Sequence, residues 1–353
     1  MAEFLALGLT HYPLLAGTDK HMAGLLRWTL NDPDIPEAEK DPANWPELMQ
    51  KEWADDQGTA AAAKHRSDLV ADLAKVRAAL DEFQPDLVVV WGDDQYENFR
   101  EEVVPPFCIL AYGDLEVSAF EVMNERGSPN FWGKPEDSKI VLHGDAKEAK
   151  RLADLLIADS FDMAYSYKKR AGAHFPHAIL NTQLFLDYEN AGAEMSYPFI
   201  PMTVNCYGQH AIARKGGLAR FDEIETEVLD PAGPTPARCF QVGAAVARAF
   251  KDRDLKVAMI ASSSWSHAFL ADKLWHIRPD TDADIVIYKA LLEDNFELMK
   301  EYTSHAVVDA GQHEILNWFC MLGAVEELGL KREWSDLVVT DVFNSNKAFA
   351  IYR

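Results

Sequence analysis

The sequence is short of basic residues: 34 Lys and Arg stand against 57 Asp and Glu, for a formal charge of −23 over 353 residues. Polyphosphate binding needs a basic footprint, so this deficit argues against nucleic acid as a partner. Cysteine is scarce as well. Cys108, Cys206, Cys239 and Cys320 lie far apart with no CxxC pair, which suggests neither a disulfide framework nor a cysteine zinc site. No apolar run approaches the ~20 residues that a membrane span requires. Met1 leads into the first apolar stretch without a basic leader or cleavage site, so a cytoplasmic location away from membranes is expected. Also missing are a Gly-x-Ser-x-Gly elbow, a repeat of solenoid period and a low-complexity linker.

What is present reads as a folded α/β chain. Apolar residues make up 48% of the sequence and charge is spread along it, so one large domain over 1–353 is expected. Short apolar runs predict strands over 4–9, 87–91, 139–143, 162–167, 199–205 and 257–261. Longer periodic stretches predict helices over 60–83, 146–158, 239–251, 282–302 and 312–328. Their alternation implies a mixed central sheet covered by helices on both faces. Two stretches fall outside this pattern. Segment 31–56 carries Pro33, Pro36, Pro42 and Pro46 beside Trp45 and Trp53, and is expected to lack regular structure and to wrap the surface or form a lid. Segment 113–135 holds Phe120, Phe131 and Trp132 among turn residues, placed to tuck under the loop or else to line a substrate mouth or a subunit contact.

Polar clusters follow the predicted strands: His11 after the first, Gly92-Asp93-Asp94-Gln95 after the second, and Ser262-Ser263-Ser264-Trp265-Ser266-His267 after the last. In an open α/β sheet the strand C-termini share one edge, so these groups converge there. His11, delivered to that edge by a buried strand, is a natural metal ligand. His174-Phe175-Pro176-His177 precedes a helix start, where the N-terminal dipole lowers the pKa of an imidazole toward that of a working base. Ser262 to Ser264 offer hydroxyls and N–H groups to an oxyanion.

In order along the chain, Thr10-His11-Tyr12-Pro13, Val90-Trp91-Gly92-Asp93-Asp94-Gln95 with Phe99 and Pro105-Pro106-Phe107, Val204-Asn205 with Tyr207, Ser263-Ser264-Trp265-Ser266-His267, and Gln312-His313-Glu314-Ile315-Leu316-Asn317-Trp318 resemble the class III extradiol ring-cleavage dioxygenases. The resemblance implies the fold of that family and an Fe(II) centre held by two histidines and a glutamate, with a further histidine as acid and base. His11 matches the first ligand. At the second, the family's Asn-Asp-His is replaced, and Asp94 or Gln95 falls there according to the direction of alignment. The third falls on Asp282, equally placed as a helix cap. His177 is taken as the acid–base catalyst with His174 as the replacement ligand, or the reverse, and His267 as a group that orients the ring. Mn(II) or another divalent ion is also admitted.

The expected reaction opens an aromatic diol of the catechol, protocatechuate or gallate type, or an aminophenol, with O₂. The small aromatic substrate and O₂ are the partners, with no nucleic acid or membrane, and a homo-oligomer such as a dimer is the expected assembly. Two rival readings stay open: divalent-metal hydrolase or lyase chemistry on the same fold, and a binding homologue that has lost its metal.

Overall fold

The structure, a computed structural model, describes residues 1–121, 123, 129–210, 214–215, 219–223 and 229–353. Eight strands form the main sheet: β1 (Glu3–Leu9), β2 (Leu87–Asp93), β3 (Phe107–Leu110), β6 (Ala164–Ser166), β7 (Phe199–Val204), β8 (Lys256–Ser262), β9 (Arg332–Val338) and β10 (Lys347–Tyr352). Their spatial order is β6-β3-β7-β2-β8-β1-β10-β9, and β4 (Leu115–Ser118) pairs with β5 (Lys139–Leu142) in a separate two-stranded sheet. The four central strands β7, β2, β8 and β1 run parallel, with Val89 opposite both Ile200 and Met259, and Leu7 opposite Ile260. Antiparallel β3 and β10 flank them, so the sheet is mixed.

Central strands buried on both faces read as unbroken apolar runs because each face needs a helical cover. Leu5, Leu7, Leu9, Val88 and Val90 pack toward α1 (Thr59–Phe83) and α3 (His177–Leu186). Leu87, Val89 and Trp91 pack toward α2 (Ala146–Ala158), α4 (Pro236–Phe250) and α6 (Ile315–Leu328). On that side α4 and α6 cross with their backbones in contact. A β-carbon on Gly243 would lie 1.7 Å from the Cys320 carbonyl oxygen, and one on Gly323 would lie 2.1 Å from that of Phe240.

The helix expected over 282–302 is two helices, α5 (Thr281–Leu292) and a short one at Phe296–Glu301. The chain breaks at Asp294, whose φ of 51° is left-handed, and Asn295 then caps the second helix by accepting from the Leu298 amide. Segment 31–56 is more regular than its prolines suggested, with helical turns at Glu37–Lys40, Pro42–Asn44 and Glu47–Trp53. Pro36, Pro42 and Pro46 stand at the starts of those turns, where a missing N–H costs nothing. Segment 113–135 likewise contains β4, and its residues 122 and 124–128 lie outside the described set. Strands β3, β9 and β10 had no counterpart in the sequence reading. Among the described residues no helix is long and apolar enough to cross a membrane.

Candidate active site

Because β1, β2, β7 and β8 are parallel, their C-terminal ends meet at one edge of the sheet. His11 stands two residues beyond β1 and Asp93 is the last residue of β2, both essentially inaccessible to solvent. The Nδ1–H of His11 donates to the Ser262 carbonyl oxygen at 2.7 Å, since a carbonyl can only accept. That bond fixes the tautomer and leaves Nε2 as the lone-pair nitrogen. Nε2 lies 3.6 Å from Asp93 Oδ1 and 3.4 Å from Glu314 Oε2. Burial, followed by the neighbouring His177, holds His11 well below the usual histidine pKa, so the imidazole stays neutral.

His177 reaches this edge on the first turn of α3. The close approach depends on Gly92, where a β-carbon would lie 2.9 Å from that of Ala178. The His177 ring meets the His11 ring edge-on, with centroids 4.9 Å apart. Ligand atoms of His11, Asp93 and His177 all lie within 4.8 Å of one another, and among the described residues this is the group of His, Cys, Asp or Glu side chains able to hold a metal ion. Asp93 is pushed up to about 6 by burial, with Glu97 adding to the effect and His177 opposing it.

Behind His11 lies a second buried set. His267 Nε2 is 3.3 Å from Glu314 Oε1, which also accepts from the Tyr207 hydroxyl at 2.8 Å. Burial drives His267 down to about 3, and burial together with Asp93 drives Glu314 well above the carboxylate range. Burial thus disfavours the charged form of both groups, so the contact is not held together as a strong ion pair. Asp93 Oδ2 and Glu314 Oε2 are buried and accept no hydrogen bond. Buried carboxylate oxygens without donors are uncommon in proteins and are the atoms to which a cation would be drawn.

The remaining residues singled out in the sequence lie elsewhere. Asp94 spends its carboxylate on the amides of Glu97, Asn98 and Phe99 at 3.0 to 3.2 Å, so it folds the loop instead of facing His11. Gln95 is on the wall of a cavity of about 540 Å³ that His174, His177 and Asn181 also line. His174 pairs with Glu121 at 3.4 Å. Asp282 lies in the first turn of α5, outside the cluster; two residues later Asp284 points inward and binds Ser266 N, Gln312 and Asn346. Asp93 and Glu314 are the carboxylates beside His11. Asp93 was already within the acidic run, and Glu314 within the last motif, but neither was ranked as a ligand.

The serines after β8 do not present an oxyanion site. Ser262 Oγ lies 2.6 Å from Thr182 Oγ1, Ser263 Oγ donates to the Glu314 carbonyl, Ser264 Oγ pairs with Thr10 Oγ1, and the Ser263 amide donates to Leu9.

Residues 223–350 match the family described as the catalytic LigB subunit of aromatic ring-opening dioxygenase. The chain is 28% identical over 230 residues to a 2,3-dihydroxyphenylpropionate/2,3-dihydroxicinnamic acid 1,2-dioxygenase of Comamonas testosteroni, covering 65% of this chain and 58% of that protein. Both comparisons point to the ring-opening dioxygenases that the sequence motifs resemble. An enzyme of the same name from Paraburkholderia xenovorans (strain LB400) is 24% identical over 298 residues, covering 76% of this chain and 86% of that protein. The corresponding enzyme of Rhodococcus jostii (strain RHA1) is 25% identical over 200 residues, covering 57% and 49%. The chain thus aligns with 58% and 49% of the first two relatives' own lengths. The loop after β2, where the resemblance places a histidine, carries Gly92-Asp93-Asp94-Gln95 instead.

Proposed function

We propose that this extradiol dioxygenase homologue opens the ring of an aromatic diol with O₂, using a divalent metal, iron(II) in the first instance, held by His11, Asp93 and His177. The observation that carries this reading is the make-up of the cluster: two imidazoles and one carboxylate whose ligand atoms lie within 4.8 Å of one another. Two histidines and a carboxylate are the donor set of non-haem Fe(II) oxygenases. The fit is supported by the uncommitted Asp93 Oδ2 and by the fixed tautomer of His11. Bound there, the metal supplies open positions at which both oxygens of a diol and O₂ are brought together.

The chain's own groups supply the rest. The cavity of about 540 Å³ accommodates a single ring with a short side chain. His177 and Asn181 form the part of its wall that adjoins the cluster, because Asn181 also donates to the His11 carbonyl at 2.9 Å. His174 lies on the same wall, with Glu121 3.4 Å from its ring. It is the group that takes a proton from the diol and later returns it. With His177 committed to the cluster, the two histidines of His174-Phe175-Pro176-His177 divide the work of ligand and acid–base group. The relatives are named for 2,3-dihydroxyphenylpropionate, so a catechol with a short acid side chain is the first substrate to try.

The test is oxygen uptake by protein purified anaerobically and loaded with Fe(II), against catechol, protocatechuate and 2,3-dihydroxyphenylpropionate. One O₂ consumed per ring opened, with a yellow product, is expected for at least one diol. Metal bound at one per chain without oxygen uptake on any diol would favour hydrolase or lyase chemistry. Failure to bind any divalent ion would favour the binding homologue.

A further inference from the structure

We propose that Glu97 is the positioning residue of this centre: its carboxylate takes the Nδ1–H of His177 and commits Nε2 of that imidazole to the metal. The inference rests on the reading of His11, Asp93 and His177 as ligands and deepens it. His177 Nδ1 lies 3.1 Å from both Oε1 and Oε2 of Glu97, and the His177 backbone N–H donates to Oε2 at 2.9 Å. The two side chains are only 12% and 14% exposed. A carboxylate can only accept here, so the proton sits on Nδ1 and the lone pair on Nε2. A ligating histidine whose other nitrogen is held by a carboxylate is fixed in orientation and made a stronger donor.

The loop is built to deliver this contact. Asp94 accepts from the Glu97 amide at 3.0 Å and from those of Asn98 and Phe99, which closes the turn and aims Glu97 at α3. Pro176, the residue preceding α3, makes no side-chain cap, so the carboxylate that meets the helix start comes from this other loop. Three acids in one loop thus have three tasks. Asp93 faces the cluster, Asp94 folds the turn, and Glu97 orients a histidine from another element. The loop that lacks a histidine obtains one from α3.

The competing explanation is that Glu97 is only a helix cap. Glu97→Gln separates the two, because its amide oxygen still accepts from the His177 N–H while the charge and the second acceptor oxygen are lost. Metal-free full-length protein is titrated anaerobically with Co(II), following the visible absorption of the bound ion and the binding heat, with thermal melting as a check on folding. The expected result is a melting point close to the parent and Co(II) affinity weakened by roughly 10–100-fold, the usual cost of losing such a partner. Glu97→Asp should recover part of the affinity lost in Glu97→Ala. Parent-like Co(II) affinity and absorption in Glu97→Gln, with affinity lost in His177→Ala, overturns the proposal and leaves Glu97 as a cap. Parent-like affinity in both His177→Ala and His11→Ala overturns it together with the metal reading on which it rests.

Discussion

The loops after β2 and β8 end neighbouring parallel strands at the same edge, both are polar, and they spend their polar groups in opposite ways. After β8, the serine hydroxyls and most of the backbone amides are absorbed by the protein, with Trp265 Nε1 and His267 Nδ1 left as buried atoms without a partner. Ser266 Oγ donates to the Ala310 carbonyl, Trp265 N to Asn346, and the carboxylate of Asp284 collects Ser266 N, Gln312 and Asn346. After β2, Asp94 is absorbed in the same way, yet Asp93 keeps a buried oxygen with no donor and Glu97 turns toward a histidine. A saturated network holds a shape, whereas an unsaturated one exposes chemistry. Polarity at a strand end therefore says little about function until its partners are counted.

The sharpest way to break this contrast is to remove a group from the unsaturated side. His11→Ala should lower divalent-metal affinity by more than roughly 100-fold, since even the loss of an outer partner costs 10–100-fold. Metal content after anaerobic loading and desalting measures it, and full occupancy in the variant would remove His11 from the ligand set. His174→Ala should do something different, keeping the metal and losing turnover by roughly 10²–10⁴-fold, the range for an acid–base group. Oxygen-uptake rates at matched metal content give the answer; unchanged turnover would return His174 to a structural role with Glu121.

On the saturated side the expected effect is on stability and on its pH dependence. Burial raises Asp284 to about 7 against an opposing pull from Gln312, Asn346 and the Ser266 amide. The unfolded carboxyl titrates near its ordinary value of about 3.9, so the folded state binds the proton more tightly. The stabilisation is therefore complete below that value and is lost as pH rises through about 7. The thermal midpoint of the parent should fall between pH 5 and pH 8 through this group, and Asp284→Asn should flatten that slope. The variant should also lose roughly 1–3 kcal/mol, because its amide nitrogen turns a donor toward donors. A midpoint with the same slope in both proteins would show that Asp284 does not titrate as its burial implies.

How much of this was legible in the sequence depended on whether a group's position follows from its own strand. His11 was legible, because an unbroken apolar run ends just before it and the parallel neighbours carry that end to the shared edge. The strand–helix alternation likewise implied the helix-covered sheet, while β9, half-buried along its length, and β3, only four residues long, carry too little pattern to be read. Asp93 was not reached, because alignment from either side of the loop falls on Asp94 or Gln95 instead. What separates them is where β2 ends and which carboxylate the turn consumes. Asp282 and Asp284 pose the same problem on a helix: Asp280 caps α5 by accepting from Ala283, and the inward face then falls on position 284, one turn on. Glu314 was hidden by the start of α6. The apolar pattern suggested a helix from 312, but the helix begins at Ile315, which puts Glu314 at its mouth beside His11 and His267.

The smallest expected effect is at Gln95, where the resemblance and the structure differ most. In the family pattern a histidine belongs at this step, and a simple reading holds that Gln95→His would rebuild the iron site, since imidazole is the better Fe(II) donor. The structure places Gln95 on the cavity wall, just before Tyr96, whose φ of 60° turns the chain. Asp93 and His177 already stand with His11. Gln95→His should accordingly change Fe(II) affinity by no more than about threefold, or ~0.7 kcal/mol. Any change in turnover should fall on KM rather than kcat, as befits a wall of the cavity rather than a ligand. A tenfold gain in iron affinity would put the metal nearer the loop than the His11, Asp93 and His177 cluster allows. It would return the second ligand to the place where the family carries it, and the contrast between the two loops would then lie in one substituted residue rather than in how each loop satisfies its polar groups.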